Sequence, residues 1–183
     1  MIVLGVDPGA GTTGYGVVAH EGGGTTSLIE CGVIRTDAKT PLPQRLKEIY
    51  LGIGEVIARC APTTVAVEGV FYGKNVRTTV ILGHARGAIL LAATMRDLPV
   101  SEYSPAEIKN AIVGHGRAGK EQVQFMVQRL LRLKTAPHPA DAADGVAVAL
   151  CHCNSANLNR LRPPARFSSD LTLQALKALA IHD

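Results

Sequence analysis

Ile2-Val3-Leu4-Gly5-Val6-Asp7-Pro8-Gly9, at the head of the chain, is the stretch on which the fold turns. Ile2 to Val6 is apolar and largely β-branched, as in a strand buried on both faces at the centre of a sheet. Asp7 ends it. A carboxylate at the tip of such a strand costs free energy unless something compensates it. Two readings stand: a turn-opening Asp that bonds its own backbone, or one member of a metal or phosphate site. Gly9-Ala10-Gly11-Thr12-Thr13-Gly14 fits the G-x-G-x-x-G dinucleotide pattern, which requires a helix next. Tyr15-Gly16-Val17-Val18-Ala19 follows instead, with no cap and no helical period. Strand, glycine turn, strand predicts a hairpin and argues against a dinucleotide site.

Gly22-Gly23-Gly24 gives a second turn, and a third antiparallel strand is expected around Ser27 to Thr36. Leu42, Leu46, Ile49, Ile53, Val56, Ile57 and Cys60 recur at helical spacing, from a start marked by Pro41 and Pro43 to a stop at Pro62. Thr63-Thr64-Val65-Ala66-Val67-Glu68 then repeats the opening pattern, a β-branched run that ends in an acid. Arriving after a crossover helix, this strand should lie parallel to the first, with Asp7 beside Glu68 at one edge. Two like charges so close raise each other's pKa, and a divalent cation would resolve the conflict. The loop Val70-Phe71-Tyr72-Gly73-Lys74-Asn75 comes next. In a chain with three Phe and four Tyr, an adjacent pair on a polar loop is informative. Phe71 and Tyr72 either fold back onto the core or stack on an unpaired base, with Lys74 near its phosphate.

A helix is expected from Val76 to Met95; Gly83, Gly87, Ala88, Ala92 and Ala93 would let it pack close to a neighbour. Pro99 to Tyr103 reads as a fifth strand. Ser104-Pro105-Ala106-Glu107 is a capping signal for a helix through Lys109 to Val113. Gly114-His115-Gly116-Arg117-Ala118-Gly119-Lys120-Glu121 contains G-x-x-x-x-G-K, but Glu121 stands where a phosphate-binding loop needs Ser or Thr, and a helix precedes. It reads better as an exposed basic loop opening a helix, with Arg117 and Lys120 suited to phosphate. That helix carries an apolar stripe of Val123, Met126, Val127, Leu130 and Leu131. In Ala140-Asp141-Ala142-Ala143-Asp144, the two acids lie three residues apart, on one helix face. Acids in a first turn also favour the helix dipole. The flanking alanines, however, permit close approach to the sheet, which points to a shared metal site with Asp7 and Glu68.

With 183 residues and 46% hydrophobic content, the chain is expected to form one domain with a core, residues 1–154, and a polar tail, 155–183, containing a short amphipathic segment from Leu171 to Ile181. No apolar run is long enough, uncharged and gap-free, to cross a bilayer, and no secretory signal opens the chain. Four scattered cysteines read as reduced thiols of a cytoplasmic protein. Cys151-His152-Cys153 is not a zinc site, since residues two apart on a helix diverge. The net charge of +4 permits an anionic partner.

Gly-Val-Asp-Pro-Gly at Gly5–Gly9, Val-Glu-Gly-Val-Phe at Val67–Phe71, Val-Gly-His-Gly at Val113–Gly116 with Lys120, and Ala-Asp-Ala-Ala-Asp at Ala140–Asp144 resemble the RuvC Holliday-junction resolvases in order and spacing from Met1 to about Asn154. Gly69 departs from the Gln common there. The resemblance implies an α/β, ribonuclease H-like fold: a five-stranded mixed sheet, strands one to three antiparallel, flanked by helices. It implies Asp7, Glu68, Asp141 and Asp144 as catalytic acids, Phe71 as a DNA-contacting aromatic, and Lys109 and Lys120 as basic residues near the site. It also implies a homodimer that nicks four-way DNA junctions symmetrically, in partnership with RuvA–RuvB. The acids suit two-metal phosphodiester hydrolysis with two Mg²⁺ ions, Mn²⁺ substituting, Asp7 bridging and Lys120 neutralising charge on the phosphate. Two rivals remain. An actin-like or sugar-kinase ATPase uses a similar first hairpin but needs a duplicated domain. A passive junction binder needs no four acids.

Overall fold

The computed structural model describes residues 1–9, 11–21, 24–69 and 76–161, with side chains as far as Ser155. The elements run β1 (Ile2–Asp7), β2 (Thr12–His20), β3 (Thr26–Arg35), α1 (Leu42–Cys60), β4 (Thr64–Glu68), α2 (Val76–Thr94), β5 (Val100–Tyr103), α3 (Pro105–Val113), α4 (Lys120–Leu130) and α5 (Ala140–Leu161). They form one five-stranded sheet in the order β3-β2-β1-β4-β5. β1 pairs antiparallel with β2 and β2 with β3; β1 and β4 are parallel, as are β4 and β5. This is the mixed sheet expected from the sequence. α5 runs past Asn154 to Leu161; the segment from Leu171 to Ile181 lies outside the described residues.

Period-two alternation sorts the strand residues between two cores. Leu4, Val6, Val17, Val65 and Val67 face α1 and α2, with Ile53 and Ile89 between them. Val3, Val18 and Ala66 face the other way, against α3, α4 and α5. Asp7 follows Val3 and Gly5 at steps of two, and Glu68 follows Ala66, so both acids belong to the α5 side. α3 starts on the expected capping box: Ser104 Oγ accepts from Glu107 N–H at 3.1 Å, and Ser104 N–H donates to Glu107 Oε2 at 2.7 Å.

Two expectations need correction. Within the chain Gly83 and Gly87 do not serve close packing, because a side chain at either would meet open space. Leu130 is 45% exposed and leaves the α4 stripe, which is carried by Val123 and Val127 with Leu131 just beyond. α2 is long and apolar enough to pass for a bilayer span, with a mean hydropathy of 1.2, but it carries Arg77 and Arg86 and so is not the uncharged run such a span would need. Its apolar content has a second use: Ala85, Ile89, Ala92 and Ala93 form one wall of the α1–α2 core. All four cysteines are free. Cys151 and Cys153 are core residues, while His152 Nδ1 lies 2.9 Å from Tyr103 Oη.

Ile53 is fully enclosed between α1, α2 and the sheet. Ile53→Ala should cost about 2–5 kcal/mol through lost transfer energy and a residual cavity. Leu51, 48% exposed on the same helix, should cost no more than about 0.5 kcal/mol when changed to Ala. Urea denaturation reads both, as a lowered midpoint at constant slope.

Candidate active site

Val6 and Val67 are register partners across the parallel β1–β4 pair, so the two strands deliver Asp7 and Glu68 to adjacent positions at their C-terminal ends. α5 crosses the same face. Its first turns bring Asp144 and, three residues on, Ala147 to the same place. Asp7, Glu68 and Asp144 line one cavity of about 250 Å³ together with Lys109 and Lys120. The remaining wall is apolar: Pro105, Ile108, Val123 and Ala147. Asp141 stands at the rim, its side chain 43% exposed, where Lys120 Nζ reaches it at 3.2 Å. The same ammonium lies 2.7 Å from Asp144 Oδ2.

Burial holds the Asp7 carboxyl up at about 8, and the neighbouring charges of Glu68 and Asp144 push in the same direction. Glu68 is raised as well, first by burial and then by Asp144; Lys109 and Lys120 oppose this. Lys120 itself is raised by its hydrogen bonds to Asp144 and Asp141. With half of its side chain in water, that pairing contributes little to stability. Among the described residues no group of three His, Cys, Asp or Glu side chains is arranged to hold a metal ion as it stands. The oxygens of Asp144 and Asp141 are turned onto the Lys120 ammonium instead. The donor chemistry nevertheless fits a hard divalent cation. Every candidate ligand is a carboxylate oxygen, and acids that raise one another's pKa gain from a cation between them.

A family profile described as "Crossover junction endodeoxyribonuclease RuvC" matches residues 3–152, a span that includes all four acids. The chain belongs to the RuvC family. Among its members, the RuvC of Alkaliphilus metalliredigens is 46% identical over 161 residues, covering 88% of this chain and 98% of its own. The solved RuvC of Thermus thermophilus superposes with a TM-score of 0.80 at 39% identity, over 87% of this chain and 97% of that one. The T. thermophilus RuvC solved in complex with a Holliday junction substrate matches at 0.79 and 37%, over 86% and 96%. The fold shared with these RuvC structures is ribonuclease H-like, with the strand order given above.

Of the expected DNA contacts, Lys109 and Lys120 line the cavity. Arg117 is exposed on the loop between α3 and α4 and is not part of the cavity lining. Phe71, Tyr72 and Lys74 lie outside the described residues. The loop after α3 is no phosphate-binding loop of the strand-to-helix kind. Gly114, at φ +89°, caps α3, and Gly119 N–H donates to Gln122 Oε1 at 2.9 Å to open α4. The apolar wall escaped the sequence reading. Val123 was legible only as a member of a helix stripe and Ile108 only as part of a helix marked by its capping signal, and nothing in the sequence told a cavity wall from a core.

Proposed function

We propose that this RuvC-family endonuclease resolves four-way DNA junctions by metal-dependent phosphodiester hydrolysis, with Asp7, Glu68, Asp141 and Asp144 as both catalytic acids and metal ligands. The observation that carries the reading is the meeting of Asp7, Glu68 and Asp144, from two parallel strands and a helix, in one cavity with two lysines. Mg²⁺ held there, two ions per site with Mn²⁺ as substitute, would activate water and stabilise the leaving 3′ oxygen. Asp7, at the sheet centre, would hold the ions together with Glu68 and Asp141, and Asp144 would complete the set. Lys120 then turns from the acids to the non-bridging oxygens of the phosphate, where negative charge grows. Lys109 holds the same phosphate from α3. Arg117, Lys74, Phe71 and Tyr72 contact the strand beyond it, the aromatics by stacking on an unpaired base. The domain spans residues 1–154, with 155–183 as a tail. Action on DNA implies the cytoplasm or nucleoid, and partnership with RuvA–RuvB follows from the resemblance alone.

Paired nicks require two sites related by a two-fold axis. The α1–α2 face suits a second copy of the chain, because an isologous contact needs one self-complementary patch. Val80 and Leu91 are 51% and 53% exposed there, beside a groove of about 420 Å³ lined by Leu46, Tyr50 and Gly87. Leu91→Asp should shift the protein from dimer to monomer in light scattering and convert paired nicks into independent single ones.

The direct test is a synthetic four-way junction, end-labelled on each strand in turn, incubated with Mg²⁺, Mn²⁺ or EDTA. Symmetric nicks that depend on the cation are expected, with no ATP turnover. Junction binding with no cleavage under any cation would leave the passive binder.

A further inference from the structure

α5 packs on the β1–β2 hairpin at a row of glycines that bring the two backbones close together. Gly14 is the register partner of Asp7, and Gly16 of Gly5. A Cβ on Gly14 would stand 1.8 Å from the Asp141 carbonyl oxygen. One on Gly145 would stand 2.4 Å from Tyr15 Cα, and one on Gly16 2.6 Å from Val146 Cα. Gly5 would meet Ala149 N and the Gly145 carbonyl oxygen, each at 2.3 Å. Ordinary contacts of a Cβ are 3.4–4 Å, so any side chain along this seam lifts the helix. The acids stand at one end of it. The residue under Asp141 is the one paired with Asp7, and the glycine after Asp144 rests on the next residue of the same strand.

We propose that Gly14 and Gly145 are positioning residues for the acid cluster. The missing side chains let α5 sink until Asp144 stands in one cavity with Asp7 and Asp141 reaches its rim. Neither glycine touches metal or DNA; both act through the height of the helix. Mg²⁺ demands near-ideal octahedral oxygens at about 2.0–2.1 Å, so a helix raised by roughly an ångström loses ligands from one side of the site, a displacement of the size that costs about a hundredfold in catalysis. Gly16, which meets the helix at Val146, serves the same seam further from Asp141 and sets stability rather than ligand spacing. This inference rests on the metal-site reading above.

The test compares Gly14→Ala with Gly16→Ala in the full chain. Each backbone clash lowers Tm. The discriminating readout is Mn²⁺ affinity by calorimetry without DNA, taken well below both melting points. Gly14→Ala should weaken Mn²⁺ binding at least about tenfold and raise the metal needed for half-maximal nicking, with partial rescue at high Mn²⁺. Gly16→Ala should keep the wild-type affinity within about threefold. In the Gly14→Ala background, Asp141→Glu should recover part of the lost affinity, because the extra methylene restores reach. Equal losses in both variants, or a folded Gly14→Ala with wild-type affinity, overturn the proposal. If Gly14→Ala precipitates, Gly145→Ala carries the same comparison from the helix side, with the same two results deciding. Failure of the wild-type chain to bind Mn²⁺ would bring down the metal-site reading itself, a result separate from any difference among the glycine variants.

Discussion

Asp7→Asn should leave the protein folded and still able to bind a four-way junction, while lowering the nicking rate on the order of a thousandfold or more. The amide keeps the shape of the carboxylate, and the site it sits in is fixed by backbone: β2 on one side, β4 on the other, α5 above. What it loses is charge at the centre of the cavity. A cation-assisted displacement draws several kcal/mol of transition-state stabilisation from the metal, and about 4 kcal/mol corresponds to a factor near a thousand. Junction affinity should change by less than about threefold, because the expected contacts to the DNA backbone come from Lys109, Lys120 and Arg117. The variant should also melt higher than wild type at pH 8 in EDTA, since it removes one of a group of buried acids that repel one another. Filter binding and single-turnover nicking on the same preparation separate these outcomes. Loss of binding with an unchanged single-turnover rate would sink the assignment of Asp7 to the chemistry.

How far the site could be read in advance differs from residue to residue, and the reasons are physical. Asp7 and Glu68 were legible because each ends a β-branched run, and a crossover helix between two strands leaves little choice but parallel neighbours. Asp141 and Asp144 were legible as a pair through their spacing, and the alanines around them did mark a close approach: Ala142 and Ala143 are fully buried. Gly14 and Gly16 were harder. Glycine inside a strand marks a turn, a bulge or a backbone contact equally well, and here Gly14 is a strand residue beneath a helix, not part of the turn. Gly83 and Gly87 show the converse. Small residues at helical spacing suggest packing, yet these two face open space. The hydropathy of α2 does not tell its two faces apart, since residues that serve the core and residues on the exposed face of Val80 and Leu91 are equally apolar. Asp141 shows how far spacing alone reaches: it finds the acid, but the position at the rim depends on the tilt and depth of the whole helix.

In EDTA the protein should lose stability as pH rises from about 6.5 to 8, and divalent cations should abolish or reverse that slope. The folded Asp7 carboxyl titrates near 8, against 3.8 for an ordinary one. Between those values the folded chain holds a proton that the unfolded chain has released. More protons bound in the folded state means that unfolding free energy falls with pH, by at most about 1.4 kcal/mol per unit for one group. The stabilisation is complete below 3.8 and gone above about 8; Glu68, raised for the same first reason, adds to the slope. Glu30, Glu107 and His152 run in the opposite sense but in other windows, Glu107 being held down by its hydrogen bonds to Ser104 and acting only below 4.5. Glu30, held down to about 2 by its hydrogen bonds to Arg59, stabilises above 4.5 and loses that contribution only as pH falls toward 2. His152, lowered by burial, makes stability rise with pH only up to its ordinary value of 6.5. Above 6.5 none of these opposes the acid cluster, and the cysteine thiols, raised from 9.0 by burial, act in the same sense only as pH nears that value. A cation binds the deprotonated carboxylates, so it competes with the proton and gains affinity as pH climbs. Saturating Mg²⁺ should therefore raise Tm more at pH 8 than at pH 6.5, through preferential binding to the folded state. By the same competition, the metal concentration for half-maximal nicking should fall by up to about tenfold per pH unit in this range. Scanning calorimetry in EDTA and in Mg²⁺, at pH 6.5, 7.2 and 8, reads the effect directly, and Asp7→Asn should show a flattened profile in both. A wild-type Tm in EDTA that stays level or climbs from pH 6.5 to 8 would mean that the acids are not held as a mutually repelling, solvent-poor cluster.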